Sequence, residues 1–357
     1  MVKICVVGCL HGELDKIYKD ILDYEEQNSF KTDLVLCCGD FQAVRNPSDL
    51  NSMSVPQKYF KLGDFHQYYS GKKTAPRTTV FVGGNHESSG FMQELAYGGW
   101  VAKNIYFMGY ANVIQFKGIR IAGISGIYKS HDYNIGHYEI VPYNENTKRS
   151  VYHTRNLEVF RLNQIRRRVD IVLSHDWPRG IYHYGDCKRL CRKKRHFVEE
   201  IEDNFLGSPA HEQLLCYLQP RYWFAAHLHC KFAAIVQHSE DSNALTKFLA
   251  LNRPTSLEYI QFVDIEPDHR VKTMKEWKNW DSSKHPSDPI IVKVGGDNEN
   301  SIHLDPEWLV VLQQTNEFLS TSKVPCILPD GSNGEKYILI LIILSIKGTI
   351  ILPMMRP

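Results

Sequence analysis

The chain has 357 residues, which is enough for one large domain or two modest domains with a substantial core. Its formal net charge of +2 excludes a strong overall field, so any nucleic-acid binding must come from a local basic patch. Hydrophobic residues at 43% and charged residues at 23% are ordinary for a soluble globular protein.

Five short apolar runs predict buried strands, and residue types that bind metals follow each run. The runs cover residues 4–7, 34–38, 80–82, 171–173 and 223–225. The residues that follow them are, in order, Cys9 and His11, Asp40, Asn85 and His86, His175, and His227 and His229. Because strands can end together at one edge of a sheet, we expect these side chains to converge.

Residues 13–27 lie between the first two predicted strands and have a helical stripe of apolar side chains. The stripe consists of Leu14, Ile17, Tyr18, Ile21, Leu22 and Tyr24. A strand–helix–strand order implies parallel pairing with a right-handed crossover. Further strands are predicted at 114–116, 119–122, 232–237, 247–251 and 259–265, the first two as a hairpin. The pattern predicts an α/β protein with its helices outside.

Residues 128–155 interrupt this pattern with a long stretch that is rich in Tyr, His, Lys and Arg. A loop of this length is usually functional or disordered, and its many aromatic residues argue against disorder. A basic run follows at 188–196, and residues 268–300 are polar and loop-like, with Trp277 and Trp280 inside that stretch and Trp308 beyond it. We interpret the later residues as a smaller module wrapped onto the first.

The nine cysteines are unevenly spaced, and Cys5, Cys37 and Cys38 lie inside apolar runs, which predicts buried free thiols in a reducing compartment. The first residues enter a strand directly, so we expect no signal or transit peptide. Residues 337–357 form an apolar tail that Lys347 interrupts. We expect a packed strand or a disordered end there, with a membrane anchor as the less favoured alternative.

Metal ions suit the residue types at the predicted strand ends. Asp40 offers a carboxylate that can bridge two metals, while neutral imidazoles and the Asn85 amide add neutral ligands. His86, in a glycine-containing turn, can act as a general acid without binding metal. Each motif alone has a simpler interpretation as an exposed histidine or an ordinary turn. All five together favour one metal centre that hydrolyses phosphate esters.

In this order the motifs resemble those of the calcineurin-like metallophosphoesterases over residues 1–255. The resemblance implies an α/β fold, a four-layer α/β/β/α sandwich with a two-metal site at the strand ends. A C-terminal module at 256–336 and the tail at 337–357 would follow. The chain departs from the family pattern at Ala226, where Gly is usual, and at Cys9, where the family has its first Asp.

Cys9, segment 128–155 and Ser-His-Asp-Trp-Pro at 174–178 are similar to the lariat-debranching branch of this family. That resemblance implies hydrolysis of the 2′,5′-phosphodiester at the branchpoint of excised intron lariat RNA, giving linear RNA with a 5′-phosphate and a free 2′-hydroxyl. It implies one or two divalent ions (Fe²⁺, Zn²⁺ or Mn²⁺), a metal-activated hydroxide as nucleophile, and His86 as the acid.

Two ligand sets follow from the same resemblance. The first contains Cys9, His11, Asp40 and His229, and the second contains Asp40, Asn85, His175 and His227. A thiolate at Cys9 favours Zn²⁺ or Fe²⁺ over Mg²⁺. The alternative is that Cys9 only packs beside the site.

Branched RNA is recognised by stacking of bases on aromatic rings and by cationic side chains on phosphates. The candidate contacts are Tyr128, Lys129, Tyr133, His137, Tyr138, Arg149, Tyr152, His153 and Arg155. The alternative is a loop whose tyrosines pack on the domain. The basic run at 188–196 is expected to be a solvated face or a nuclear signal, with RNA contact as the alternative, and Trp177 to shape the pocket wall.

The expected partner is branched RNA, without DNA or membrane, and the expected location is the nucleus, with the cytoplasm second. Two alternatives stay open: a protein Ser/Thr phosphatase or general nuclease on the same scaffold, and a non-catalytic scaffold. Neither rival enzyme accounts for Cys9 and the aromatic, basic segment. A degenerate scaffold would have lost more ligands than the first Asp.

Overall fold

The computed structural model describes residues 1–238, 244–267, 292–294 and 301–329, with 292–294 as backbone alone. Its strands are β1 (Val2–Val7), β2 (Leu34–Cys37), β3 (Thr78–Phe81), β4 (Gly99–Ala102), β5 (Ile105–Phe107), β6 (Ala111–Phe116), β7 (Ile119–Ile124), β8 (Ile171–Ser174), β9 (Tyr222–Ala225), β10 (Phe232–Gln237), β11 (Leu245–Ala250), β12 (Ile260–Ile265), β13 (Val292–Val294) and β14 (Ile302–Leu304). The strands that the apolar runs predict are all present.

The α-helices are α1 (Leu14–Asn28), α2 (Phe65–Tyr69), α3 (Ser89–Glu94), α4 (Ser130–Tyr133), α5 (Thr147–Ser150), α6 (Asn156–Asn163), α7 (Cys187–Lys193), α8 (Val198–Glu202), α9 (Pro209–Leu218) and α10 (Pro306–Gln314). Short 3₁₀ helices cover Pro47–Ser52, Gln57–Tyr59, Ile181–Tyr184, Arg195–Phe197 and Asn316–Phe318. Among the described helices, none is long and apolar enough to cross a membrane.

The strands form two mixed sheets. The first has the order β12-β1-β2-β3-β5-β4, and the second has the order β10-β11-β9-β8-β7-β6-β14-β13. β1 and β2 pair in parallel, as the strand–helix–strand pattern predicts. β3 extends this parallel set, and β7, β8 and β9 also pair in parallel. β6 and β7 form the predicted antiparallel hairpin.

Three apolar cores separate four layers. Successive side chains of β1 point to opposite faces of the sheet. Val6 therefore packs in the core between the two sheets, and Val7 packs in the core beneath α1. A third core fills the space between the second sheet and the helices α6 and α9. The α/β/β/α sandwich is confirmed, and in it the carboxyl ends of strands from both sheets meet at one edge.

Helix α1 buries a narrower stripe than the sequence predicts. Leu22 and Tyr24 are 40% and 42% exposed, whereas Leu14, Ile17, Tyr18 and Ile21 are buried as expected. Glu25 takes a buried place on this face, because its carboxylate accepts a hydrogen bond from Arg77 Nε at 3.0 Å. A buried carboxylate is tolerated when a guanidinium pairs with it.

Three strands from the described residues after 255 belong to the two sheets. β12 pairs with β1, and β14 pairs with β6, so the predicted boundary at 255 falls between strands of the same sandwich. Arg120 and Asp305 form a fully buried ion pair at 2.8 Å that fixes the start of α10. Trp277, Trp280 and residues 337–357 lie outside the described residues, and Trp308 is buried in the core.

Candidate metal centre

Seven side chains converge where strands of the two sheets end. β1 leads to Cys9 and His11, β2 leads to Asp40, and the turn after β3 carries Asn85. From the second sheet, β8 leads to His175 and β9 leads to His227 and His229. The convergence that the sequence predicts is therefore present, and it joins the two sheets at one edge.

Four of these side chains form one compact group of potential metal ligands. A donor atom from each of Cys9, His11, Asp40 and His229 lies within 4.8 Å of the others. His11 Nε2 lies 3.2 Å from His229 Nε2 and 3.7 Å from Asp40 Oδ2. These are the residues of the first predicted set.

Asp40 also faces the residues of the second set. Its Oδ1 lies 3.4 Å from His175 Nε2, which lies 3.1 Å from Asn85 Oδ1. His227 stands beside His175, with ring centroids 4.9 Å apart. His175 Nδ1 donates to the Cys38 carbonyl at 2.7 Å, which leaves Nε2 as the acceptor that faces Asp40. Asp40 thus lies between both groups, where a bridging ligand would be.

Four of the site residues have left-handed backbone conformations, which are uncommon for residues other than glycine. The φ angles are 51° at His11, 49° at Asp40, 58° at His227 and 49° at His229. Strained conformations of this kind concentrate at functional sites because the surrounding structure has to enforce them. Nothing in the residue pattern predicts this feature.

The charge states of the group suit a divalent cation. Burial lowers the pKa of His227 to about 4 and that of His229 to about 3, so both rings are neutral near pH 7. Burial alone would raise the pKa of Asp40, but His175 and other nearby imidazoles outweigh it and hold that pKa well below its usual range. An ionised carboxylate among neutral imidazoles is a suitable donor set for Zn²⁺, Fe²⁺ or Mn²⁺.

Comparison with known proteins identifies the family. The sequence profile described as calcineurin-like phosphoesterase matches residues 2–231. The chain belongs to the calcineurin-like phosphoesterase family. This family implies a divalent-metal centre in a phosphoesterase hydrolase, and the donor set described above fits one.

Curated relatives of this phosphoesterase carry the name lariat debranching enzyme. The protein from Xenopus laevis, lariat debranching enzyme A, is 50% identical over 334 residues, which cover 92% of this chain and 58% of that protein. The protein from Homo sapiens is 48% identical over 325 residues, which cover 90% and 55%. The protein from Arabidopsis thaliana is 52% identical over 267 residues, which cover 74% and 64%. The chain therefore spans between 55% and 64% of the length of these relatives.

Cys9 belongs to the group of potential metal ligands at the phosphoesterase site. Its Sγ accepts a hydrogen bond from the backbone N–H of His227 at 3.3 Å. Burial, followed by the charge of Asp40, raises the pKa of this thiol well above its ordinary value. A cation at the site would offset both effects, so ionisation of Cys9 and metal binding would be coupled.

Glu87 is a buried residue beside the site that sequence reasoning missed. Its carboxylate accepts hydrogen bonds from the backbone N–H groups of Phe41 and Gln42, each at 2.7 Å, and of Gly84 at 3.0 Å. It thereby joins the turn that carries Asp40 to the turn that carries Asn85. Burial and the charge of Asp40 raise the pKa of Glu87 to about 7. The only signal for Glu87 in the sequence was its position directly after Asn85 and His86.

His86 lies at the rim of the site. Its backbone N–H donates to Asp40 Oδ1 at 2.9 Å, and its ring Nε2 lies 3.1 Å from Asn85 Nδ2. The ring centroid is 5.8 Å from that of His11. His86 is partly exposed, as are the ligand residues His11, Asn85, His227 and His229.

Part of segment 128–155 lies beside the site. Lys129 and Arg149 are exposed, and the charge of Lys129 contributes to lowering the pKa of His227. Tyr152 is close enough to Asp40 for that carboxylate to help raise its pKa, after burial. Arg253, which the sequence analysis missed, is exposed, and its charge reaches His11 and His229.

Other side chains that were predicted to contact RNA point into the protein instead. For these residues the prediction was wrong. Arg155 is 1% exposed and pairs with Glu139 at 2.7 Å. His137 stacks on Tyr110 with ring centroids 3.9 Å apart, and its Nε2 lies 3.2 Å from a carboxylate oxygen of Glu158. These side chains are held by internal partners and present no open face to RNA.

The remaining aromatic residues of the segment are also engaged. His153 is 6% exposed, with its Nδ1 2.6 Å from a carboxylate oxygen of Asp132. Tyr128 and Tyr133 are half-buried against each other and the core, as the packing alternative predicts, with centroids 5.2 Å apart. Tyr138 is half-buried, with its hydroxyl 3.2 Å from Ser150 Oγ.

Two further predicted features have clear positions. Trp177 is fully buried in the core, where its Nε1 donates to the Ala226 carbonyl at 2.8 Å. It therefore supports the turn that carries His227, instead of forming the pocket wall as predicted. The basic run at 188–196 covers most of α7 and the turn after it, and most of its Lys and Arg side chains are exposed.

Proposed function

We propose that this phosphoesterase hydrolyses the 2′,5′-phosphodiester bond at the branchpoint of excised lariat RNA. The observation that carries the proposal is the convergence of Cys9, His11, Asp40, Asn85 and three further histidines at one edge, with His86 at the rim. The names of the curated relatives support the choice of substrate. The products would be linear RNA with a 5′-phosphate and a free 2′-hydroxyl.

The chain offers ligands for two metal positions that share Asp40. Cys9, His11 and His229 would complete one position, and Asn85, His175 and His227 the other. A bound divalent metal lowers the pKa of water and neutralises charge on the phosphoryl oxygens. We assign the metal to Fe²⁺ or Zn²⁺, which imidazole and thiolate ligands favour over Mg²⁺, with Mn²⁺ as the alternative that the carboxylate and amide ligands suit.

His86 would give a proton to the departing 2′ oxygen. Its backbone is fixed by Asp40 and its ring by Asn85, so the imidazole is held beside the site. General acid catalysis of this kind contributes typically 10²–10⁴-fold to a rate. Replacement of His86 should therefore slow the reaction without removing a metal ligand.

The exposed cations around the site would hold the arms of the RNA. Lys129 and Arg149 lie on the side of segment 128–155, and Arg253 lies near His229. Three separate cationic positions suit a branchpoint, from which three RNA arms leave. Tyr152 offers a half-buried ring beside Asp40 on which a splayed base can stack.

A protein phosphatase or general nuclease would need the same metals but not a surface with three cationic positions. A non-catalytic scaffold is disfavoured because the ligand set and His86 are present together. The preference for RNA over DNA, the nuclear location and the α7 basic run as a nuclear signal are parts of the same proposal.

Cleavage of a short branched RNA and of its linear 3′,5′ counterpart tests the proposal. The metal-stripped protein is reconstituted separately with Fe²⁺, Zn²⁺ and Mn²⁺, and His86→Ala serves as the control. We expect cleavage of the 2′,5′ bond alone, at a rate at least about 100-fold lower in the variant. Cleavage of both RNAs would indicate a general nuclease, and inactivity with every metal would contradict the proposal.

A further inference from the structure

A second cluster of potential metal ligands lies within segment 128–155. It consists of His131 and Asp132 on α4 and of His153 near the end of the segment. The Oδ2 atom of Asp132 lies 3.3 Å from His131 Nε2 and 2.6 Å from His153 Nδ1. The cluster shares no residue with the phosphoesterase centre.

The surroundings of the cluster leave the Asp132 carboxylate able to bind a cation. Asp132 and His153 are buried, whereas the side chain of His131 is 71% exposed. The charge of Arg155 reaches His153, but that guanidinium is paired with Glu139 at 2.7 Å. A cation can therefore enter from the side of His131 and meet one carboxylate and two imidazoles.

We infer that His131, Asp132 and His153 form a second transition-metal site, of the kind that binds Zn²⁺. Zinc holds nitrogen and carboxylate oxygen at about 2.0–2.2 Å in a tetrahedron, which places neighbouring ligand atoms roughly 3.3 Å apart. The separation between His131 and Asp132 already has this value. The pair Asp132–His153 needs to open by less than about 1 Å.

The metal would replace the hydrogen that now joins His153 Nδ1 to Asp132. The single proton of the neutral ring would move through solvent from Nδ1 to Nε2, and the ring would stay neutral. Burial lowers the pKa of His153 to about 4, so little proton competition for the ring occurs near pH 7. Three protein ligands leave a fourth position open toward solvent, which is typical of an exchangeable zinc.

Such a metal would join the two ends of the segment that lies beside the phosphoesterase centre. The chain from His131 to His153 would become a closed loop, and closing a loop reduces its conformational freedom. Lys129, Arg149 and Tyr152 lie next to or inside that loop. The effect on RNA rests on the proposed function, but the metal site itself does not.

Zinc stoichiometry of three proteins tests the site without any RNA. The wild-type chain, His131→Ala and His183→Ala are stripped of metal and titrated with Zn²⁺ against a chromophoric chelator. His183 is an exposed histidine and is the matched control. We expect His131→Ala to bind one equivalent fewer than the other two proteins, whose stoichiometries are equal. Equal stoichiometry in all three proteins would overturn the inference.

Hydrogen exchange gives a second readout on the same proteins. Zn²⁺ should slow exchange of the backbone amides between residues 131 and 153 in the wild type and in His183→Ala. The same amides should not respond in His131→Ala. If Zn²⁺ slows them equally in His131→Ala, the protection comes from the phosphoesterase centre and the second site is refuted. Because Zn²⁺ alone is the probe, failure of this inference and failure of RNA cleavage are separate outcomes.

Discussion

The thiol of Cys9 accepts a hydrogen bond from the backbone N–H of His227, although 218 residues separate the two in sequence. The bond joins the end of β1 in one sheet to the end of β9 in the other. It places the sulfur in one group with the Asp40 carboxylate and the imidazoles of His11 and His229. The choice of metal should therefore depend on this one atom.

We expect Cys9→Asp to extend the metals that support activity toward Mn²⁺, because a carboxylate is a harder ligand than a thiolate. Activity and metal content are measured after reconstitution with each ion in turn. Cys5→Ser is the control, since Cys5 is also buried but packs in the core beneath α1, whereas Cys9 packs in the core between the sheets. If Cys9→Asp keeps the metal profile of the wild type, Cys9 is not a ligand.

Gly84→Ala should abolish the metal centre, whereas Gly83→Ala should leave it largely intact. A Cβ on Gly84 would lie 2.5 Å from the backbone nitrogen of Asp40 and would also clash with the Asp40 carboxylate. A Cβ on Gly83 would meet its nearest neighbour, Ser125, at an ordinary 3.5 Å. Metal content and thermal unfolding of the two variants provide the comparison. Equal metal content in Gly84→Ala and Gly83→Ala would show that the turn at Asp40 moves to accept the added Cβ, and would contradict the prediction.

Glu87→Gln should weaken metal binding by about 10–100-fold, as is typical when a residue that supports the ligands is changed. The substitution reduces the charge-assisted hydrogen bonds that hold the turn before Gln42. Dissociation constants from chelator competition provide the measurement, with the exposed Glu94→Gln as control. An unchanged affinity in Glu87→Gln would mean that packing alone fixes Asp40.

The metal-free protein should lose stability as the pH falls from about 6.5 to about 4. Burial lowers the pKa of His153, His227 and His229 to about 4, 4 and 3, from an ordinary value of 6.5. In this window the unfolded chain binds more protons than the folded one, so the free energy of unfolding falls. The stabilisation is complete above pH 6.5 and is lost as the pH falls through the folded values.

His153 and His227 each contribute on the order of 2–3 kcal/mol to this change, and His229 contributes less because solvent screens its partly exposed ring. Glu87 acts in the opposite direction, because its pKa is raised to about 7 from 4.5, but the histidines outnumber it. Urea unfolding at several pH values gives the free energies. A free energy of unfolding that stays flat or rises between pH 6.5 and 4 would contradict the assignment of neutral, buried rings.

The framework of the site was predictable because its signals are local in sequence. A buried strand needs only a short apolar run, and Asp40, His175 and His227 each follow such a run within two residues. The hairpin of β6 and β7 and the parallel pairing of β1 and β2 were predictable for the same reason. The predicted apolar stripe on α1 was wrong only at its edge, where Glu25 is buried because it pairs with the guanidinium of Arg77.

The orientation of side chains in segment 128–155 was not predictable from residue type. Arg155 and His153 were expected to face RNA, but Glu139 and Asp132 bind them from within the same segment. A carboxylate competes with a phosphate for the same cation, and only the fold decides which lies closer. Glu87 was missed for a related reason, since the amides it accepts from include Phe41, 46 residues away.

The position of the label after cleavage of a branched RNA tests the central proposal most directly. The RNA carries a single radioactive phosphorus at the 2′,5′ branch, and the wild-type chain and Asp40→Asn are compared under single turnover. We predict that all the label leaves as the 5′-phosphate of the released arm and that Asp40→Asn is inactive. Label retained on the branch nucleotide as a 2′-phosphate would contradict attack with the 2′ oxygen as leaving group.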